Sequence, residues 1–243
     1  MRSRSIQPGN DIVASACAGG LLLVALWCGG GSRGLGDAFV HAFAIAAVVL
    51  ACLRWRWRDG SRLQRAFACW CAATLALFAL QLLPLPQAWF AALPGRASVL
   101  AGLHLAGGAP HALPMSLDRW GTVRGMLAFA TFAAMWLLAS TLDADARRRL
   151  LLLALLASVP LVLLGYVQAA AGHQPVLRFH PIHNSFGATA TFANRNHFAA
   201  LMAMLLPWAL LFARRAQARG RRGEAAAWHA GTVLLLLAAA LSY

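Results

Sequence analysis

The sequence predicts an all-α fold: a polytopic bundle of transmembrane helices with six full spans and a truncated seventh. Of the 243 residues, 60% are hydrophobic and only 12% are charged, far below the roughly 25% charged residues of soluble domains. The hydrophobic residues are gathered into runs close to the ~20 residues that an α-helix needs to cross a bilayer. The chain is therefore predicted to be an integral membrane protein with a single transmembrane domain, 1–243.

The apolar runs give the positions of the predicted spans. The start of the chain is interpreted as an uncleaved first helix, because no small-residue cleavage site follows Trp27 and Cys28. The last run begins near 230 and extends for about fourteen residues to Tyr243, short of the roughly 20 needed to cross. The six full spans lie at about 11–28, 36–53, 66–83, 121–140, 150–171 and 196–213.

The arginines predict the orientation of the bundle. The net charge is +14, and all 21 basic residues are arginine. They cluster on alternate connections between apolar runs, which is typical of a topology signal and not of a nucleic-acid-binding face. The positive-inside rule then predicts a cytoplasmic N-terminus, with the connections at about 84–120 and 172–195 outside. The clusters are Arg2 and Arg4; Arg54, Arg56, Arg58, Arg62 and Arg65; Arg147, Arg148 and Arg149; and Arg214, Arg215, Arg219, Arg221 and Arg222.

The second outer connection ends in a run of four polar residues, Asn194, Arg195, Asn196 and His197, directly before an apolar run. Four consecutive helical residues at about 100° each sweep roughly 300° of a helix surface. At bilayer depth at least one of them would face lipid, which is energetically costly. We therefore expect the cluster to lie at a helix end.

The same four residues predict a site for an anionic head group at the outer edge of the bilayer. A helix that starts at the outer face offers unpaired N–H groups and a partial positive charge. Arg195 adds a planar fork of donors that suits phosphate oxygens, and Asn194, Asn196 and His197 add hydrogen-bonding groups. The alternative is that the cluster only caps the helix and extends to lipid phosphates.

Other candidate ligands in the chain predict no metal and no cofactor. His180 and His183 are three residues apart and His173 lies nearby, but this connection contains no carboxylate or cysteine to complete a metal site. The five cysteines lie in or beside apolar runs without CxxC spacing and are interpreted as small apolar residues. Asp118, next to Arg119, is interpreted as a cap or local ion pair of the fourth span and not as a catalytic acid.

Two segments carry a family resemblance. The segment "GATATFANRNHFAALMAMLLPWALL" resembles the helix-opening motif of the O-antigen ligase and O-antigen polymerase superfamily, in which Gly-Thr-Phe leads into Asn-Arg-Asn-His-Phe-Ala. The segment "SLDRWGTVRGMLAFATFAAMWLLA" is similar to a second recurrent stretch of those proteins. This chain has "ATATF" where a tighter Gly-Thr-Phe is usual. Because family members have more spans and a later outer loop, the chain resembles the N-terminal half of a longer polytopic enzyme.

The resemblance implies a metal-independent glycosyltransferase of lipopolysaccharide biosynthesis, a multi-pass protein of the bacterial inner membrane. Such a ligase transfers glycan from undecaprenyl diphosphate to lipid A-core at the periplasmic face, and a polymerase of the same superfamily transfers it to another glycan. By this resemblance Arg195, with Asn194 and Asn196, would bind the lipid diphosphate. Arg195 would stabilise the charge of the leaving group, and His197 is the candidate base for the acceptor hydroxyl. The expected partners are the polyprenyl diphosphate-linked donor, the acceptor and membrane lipids.

A different class of function is a non-catalytic membrane subunit or a transporter. A transporter is expected to carry charged residues or broken helices near the middle of its spans. Here the charged residues lie at the ends of the apolar runs. The charge distribution therefore favours the enzyme over the transporter.

Overall fold

The structure is a computed structural model, and it describes residues 8–28, 35–55, 60–108, 111–172, 177 and 187–242. The predicted all-α transmembrane bundle is confirmed. Its helices are α1 (Pro8–Trp27), α2 (Leu35–Arg54), α3 (Arg62–Leu82), α4 (Gln87–Ala92), α5 (Arg96–Leu105), α6 (Arg119–Thr141), α7 (Ala144–Ala170), α8 (Arg195–Ala218) and α9 (Arg222–Ala240). Two short antiparallel strands, β1 (Pro84–Pro86) and β2 (Ala112–Pro114), pair between α3 and α6.

Six of the described helices are long and apolar enough to cross a membrane: α2, α3, α6, α7, α8 and α9. The first predicted span, about 11–28, coincides with the apolar stretch Ile12–Trp27 of α1, a helix of 20 residues. The predicted set differs at its C-terminal end. The predicted start of the last span near 230 is wrong, because α9 begins at Arg222 and has 19 residues. Arg222, Glu224 and His229 lower the hydropathy of this stretch, while the alanines between them strongly favour helix.

Two clusters of buried residues form the core, and α1 and α7 contribute to both. One cluster lies between α1, α2, α6 and the first turns of α7 and is built largely from alanine and leucine. The other joins the rest of α7 to α8, α9 and the segment 188–192. Small residues allow close helix contact in membranes: a Cβ on Gly19 of α1 would lie 3.2 Å from Leu153 of α7.

The direction of each helix follows from its contacts. The Nε of Arg54 donates to the Thr141 hydroxyl at 3.3 Å, so α2 and α6 end at the same face of the bundle. Phe67, near the start of α3, packs on Trp136, near the end of α6, with ring centroids 4.3 Å apart. At the other end of this pair, a Cβ on Gly125 would lie 3.3 Å from the Phe78 ring. Therefore α3 and α6 are antiparallel.

The contacts of α7 fix the remaining directions. Ile12 and Ala146 line one groove between the first turns of α1 and α7, so these helices run parallel. The guanidinium of Arg148 lies over the Phe212 ring at 5.7 Å, which places the end of α8 beside the start of α7. A short connection, Arg219 to Arg221, then returns the chain into α9.

The described arginines separate between the two ends of the bundle. One end, which we call the site end, holds the connection 83–118, the segment 187–194 and the start of α8. Its described arginines are Arg96, Arg119, Arg124 and Arg195. Of the predicted clusters, Arg2, Arg4, Arg56 and Arg58 lie outside the described residues. The basic end holds Arg54, Arg62, Arg65, Arg147, Arg148, Arg149, Arg214, Arg215, Arg219, Arg221 and Arg222.

Candidate functional site

The polar cluster lies at the start of α8, as the sequence predicted. Asn194 is the N-cap residue in an extended conformation, and its Oδ1 accepts a hydrogen bond from the backbone N–H of Asn196 at 2.8 Å. Asparagine is among the favoured N-cap residues because its short side chain reaches this donor. Arg195 is the first helical residue.

The capping geometry corrects one part of the predicted anion site. The sequence suggested unpaired backbone N–H groups at the helix start, but Asn194 already accepts from the N–H of Asn196 through its side chain. Its backbone carbonyl accepts from the N–H of His197 at 3.0 Å. The exposed donors at this turn are therefore chiefly side chains, the amide of Asn196 and the imidazole of His197. Arg195 adds its guanidinium to the same turn.

These side chains do not share one face of the helix. The side chains of Asn194, Asn196 and His197 are exposed, whereas Arg195 is half-buried. Residues two apart in an α-helix leave it on opposite sides, about 200° apart. Arg195 and His197, the two residues assigned to catalysis from the sequence, therefore point in different directions.

The side chain of Gln168, near the end of α7, anchors by hydrogen bonds the segment 187–192, which leads into α8. Its side chain is 0% exposed. The Oε1 accepts from the backbone N–H of Thr189 at 3.1 Å and of Ala190 at 2.7 Å, and from the Thr189 hydroxyl at 3.2 Å. The Nε2 donates to the carbonyls of Ala190 at 3.0 Å and Leu177 at 2.9 Å. The amide thus uses both of its donors and its acceptor oxygen within the protein.

Two further hydrogen bonds tie the same segment to other helices. The Thr191 hydroxyl donates to the carbonyl of Leu26, at the end of α1, at 2.8 Å. The N–H of Ala188 donates to the carbonyl of Leu241, just after α9, at 2.9 Å. Ala190 has a φ of 49°, a left-handed conformation that is uncommon for alanine, and Gln168 bonds both its N–H and its carbonyl. The segment 187–192 is therefore held by α1, α7 and α9.

Close packing under this segment fixes the first turn of α8. Phe198 is fully buried, and its ring lies over Gly165 of α7. A Cβ at Gly165 would lie only 2.9 Å from Cζ of Phe198 and 3.2 Å from the Cβ of Ala188. A side chain at this position would displace either the ring or the segment 187–192.

The other predicted roles at this end have mixed outcomes. Asp118 is the N-cap of α6, and its carboxylate accepts from the N–H of Gly121 at 2.7 Å, so its assignment as a cap is confirmed. His173, His180 and His183 lie outside the described residues. Within the part of the chain that the structure describes, no three His, Cys, Asp or Glu side chains are grouped as metal ligands would be.

Gln168 is the residue of this site that the sequence reasoning missed. A single amide side chain inside an apolar run is costly at bilayer depth, and this signal marks such residues as candidates for buried partners. The sequence does not identify the hydrogen-bond partners of Gln168, because Thr189 and Ala190 are about twenty residues away across a connection.

Comparisons of the chain with known protein families, with curated proteins and with solved structures find no match. The resemblance to the O-antigen ligase and polymerase superfamily therefore stands on the two segments that carry it.

Proposed function

We propose that this protein is a membrane glycosyltransferase of the O-antigen ligase type, which transfers a glycan from undecaprenyl diphosphate to lipid A-core at the periplasmic face of the bacterial inner membrane. The observation that carries the proposal is the segment 187–192, which Gln168 fastens to α7. It gives the start of α8 a fixed position while Asn196 and His197 stay exposed. A fixed scaffold with exposed polar groups is what a binding site for a charged substrate requires.

Arg195 is the residue with the clearest role in such a reaction. Cleavage of a glycosyl diphosphate bond develops negative charge on the leaving diphosphate. A guanidinium held in place can donate two parallel hydrogen bonds to phosphate oxygens. Because Arg195 is half-buried, its charge is less screened by water than that of an exposed side chain. Loss of one such donor costs about 10²- to 10³-fold in rate in other enzymes.

Asn194, Asn196 and His197 take supporting roles in this proposal. Asn194 positions the turn by capping it, and the exposed Asn196 amide donates to diphosphate oxygens. His197 accepts the proton of the acceptor hydroxyl. Because His197 leaves α8 on the side opposite to Arg195, donor and acceptor would approach this turn from different sides.

The separation of arginines supports the location of the site. Arginine-rich connections of membrane proteins stay in the cytoplasm, so in this proposal the site end faces the periplasm. In a cysteine-free background, a cysteine at exposed Ser98 should react with a membrane-impermeant maleimide in intact cells. A cysteine at exposed Gln217, at the basic end, should react only after permeabilisation. The reverse pattern would contradict the orientation.

The direct test of function is glycan transfer in cells that depend on this protein. Arg195→Ala should lower transfer about 10²- to 10³-fold at unchanged abundance, and Arg195→Lys should restore little because lysine lacks the planar fork. The matched control is Arg124→Ala, which removes an exposed arginine from the same end. Normal transfer by Arg195→Ala would refute the site assignment.

The products of the same assay identify the acceptor. A ligase attaches glycan to lipid A-core, whereas a polymerase lengthens the glycan on its polyprenyl carrier. Electrophoresis of lipopolysaccharide and mass spectrometry of extracted carrier lipid separate the two products. Accumulation of long carrier-linked glycan would replace the ligase assignment with a polymerase.

A further inference from the structure

A second arginine of the site end lies in the connection between α3 and α6. Arg96 is the first residue of α5. The pairing of β1 with β2 returns the chain to the end of α3, where the N–H of Ser116 donates to the carbonyl of Gln81 at 3.0 Å. These contacts bring Arg96, Gln81 and Ser116 together around one cavity.

The guanidinium of Arg96 is held on two sides. Its Nη2 donates to the carbonyl of Met115 at 2.8 Å, and its Cζ lies 5.6 Å from the centre of the Phe90 ring. Phe90 is 1% exposed, so it gives the guanidinium a rigid platform. Arg96 therefore has a defined orientation before any ligand binds.

The third side of this guanidinium has no partner among the described residues. Its Nη1 is buried and has no hydrogen-bond partner among the residues the structure describes. Nor does Arg96 form an ion pair within that part of the chain; the nearest carboxylate along the sequence, Asp118, caps α6. A buried charged donor without a partner is costly. A negative charge held close to the guanidinium would offset that cost.

The cavity beside Arg96 has room for such an anion. Its volume is about 340 Å³, and it is lined by Gln81, Arg96, Met115, Ser116 and Leu117. A water molecule occupies about 30 Å³ of liquid volume, so several water molecules, or one phosphate group with its hydration, fit. Gln81 can supply amide donors next to the guanidinium. Ser116, which also lines the cavity, has its hydroxyl oxygen 2.6 Å from the hydroxyl oxygen of Thr122.

We propose that the cavity around Arg96 binds a phosphate group. Phosphate oxygens accept from guanidinium and amide donors together, and the negative charge compensates Arg96. Leu83 and Trp89 of the same connection are 53% and 69% exposed, and Trp120, in the first turn of α6, is 75% exposed. Tryptophans of this kind sit at the level of lipid head groups. The favoured source of the phosphate is therefore the head group of an anionic phospholipid.

The test uses the full chain, purified in a maltoside detergent that contains no phosphate. Binding of inorganic phosphate and of dihexanoyl phosphatidylglycerol is measured separately, by titration calorimetry and by the rise in melting temperature with ligand concentration. The wild type should bind at least the lipid. Arg96→Gln should weaken binding about 10- to 100-fold, the usual effect of losing a charged hydrogen bond to an anion.

Gln81→Glu separates binding from folding. The substitution is nearly isosteric and keeps the bond between Arg96 and Met115. Its carboxylate would pair with Arg96 and repel phosphate, so binding should fall at least about tenfold while the melting temperature without ligand does not fall. The matched control is Arg124→Gln, which removes an exposed arginine outside the cavity and should leave binding within about twofold.

Each outcome of these binding measurements either supports or overturns the phosphate site. Binding of both ligands, lost in Gln81→Glu, supports a phosphate site for which the anion alone suffices. Binding of the lipid alone, lost in the same variant, supports a head-group site. No binding of either ligand, or equal binding by wild type, Arg96→Gln and Gln81→Glu, would overturn the proposal. Because Arg195 is unchanged throughout, glycan transfer can fail or succeed independently of this result.

Discussion

Two connections meet at the site end, and each presents an arginine as the first residue of a helix. The connection 83–118 is folded largely on itself: β1 pairs with β2, α4 packs on α5, and Arg96 bonds to Met115. The segment 187–194 has no regular structure, and buried contacts to α1, α7 and α9 hold it in place. The first connection covers the end of the bundle, whereas the second belongs to its buried core.

This difference determines how each arginine can act. The segment before Arg195 cannot shift without breaking the hydrogen bonds of Gln168, so the start of α8 is pre-organised, and the proposed stabilisation of charge by Arg195 would require this. Arg96 instead lies beside a cavity, with Nη1 unpartnered within the described part of the chain, which suits binding of an anion. Substitutions beneath the second connection should therefore be the more damaging.

The largest effect is expected from Gln168→Leu. The change removes every hydrogen bond of the buried amide and leaves the N–H groups of Thr189 and Ala190 without partners. At about 1–3 kcal/mol for each buried group left unsatisfied, the free energy of unfolding should fall by several kcal/mol. Thermal unfolding in detergent measures the loss.

Gln217→Leu is the matched control for Gln168→Leu. Gln217 is also a glutamine near the end of a long helix, but it is exposed, and among the described residues its side-chain amide bonds to His229, at 3.0 Å. Its replacement should cost less than about 1 kcal/mol. Equal losses for the two variants would mean that Gln168 does not anchor the segment 187–192. The second connection would then not belong to the buried core.

Parts of this comparison could be predicted from the sequence. The position of Asn194 to His197 at a helix end followed from the cost of facing four polar residues towards lipid, and the cap role of Asp118 followed from its place before an apolar run. Both are local consequences of polarity along the chain. The lengths of the apolar runs likewise gave most of the helices.

The remaining features depend on contacts that are distant in sequence. Strands β1 and β2 have three residues each and include prolines, so they carry no alternating pattern. The hydrogen bonds of Gln168 to Thr189 and Ala190 join positions 21 and 22 residues apart. One N–H group expected to be unpaired at the start of α8, that of Asn196, bonds to the side chain of Asn194, because a side chain that can cap a helix also competes for its donors.

A smaller effect is expected from Gly165→Ala, beneath the second connection. The new methyl group would lie 2.9 Å from the Phe198 ring and 3.2 Å from Ala188, and overpacking of this kind typically costs about 1–3 kcal/mol. In the control Gly231→Ala, on α9, no atom of the described residues outside the backbone of its own helix lies within 4 Å of the new Cβ, so helix propensity should stabilise the protein by up to about 1 kcal/mol. Destabilisation by both, measured by thermal unfolding, would contradict this account of packing.

The smallest effect is expected from Asp118→Ala, where the first connection meets α6. Loss of the hydrogen bond to the N–H of Gly121 removes an N-cap, which costs about 1 kcal/mol. Asp118→Asn should retain most of this stability, because asparagine caps as well as aspartate. Hydrogen exchange should show faster opening of the first turn of α6 in Asp118→Ala alone. Faster exchange throughout 187–198 would mean that the two connections are not independent.

The central claim is that the start of α8 binds the lipid diphosphate. Its most direct test is to measure, by native mass spectrometry, how much undecaprenyl diphosphate the purified chain retains. Arg195→Gln and Arg215→Gln each remove one positive charge from α8, at the site end and at the basic end respectively. We predict that Arg195→Gln lowers retention of the lipid about tenfold or more, the effect of one charged hydrogen bond, and that Arg215→Gln leaves it within about twofold. Equal retention by both variants and the wild type would show that the start of α8 is a capped helix end and not a diphosphate site.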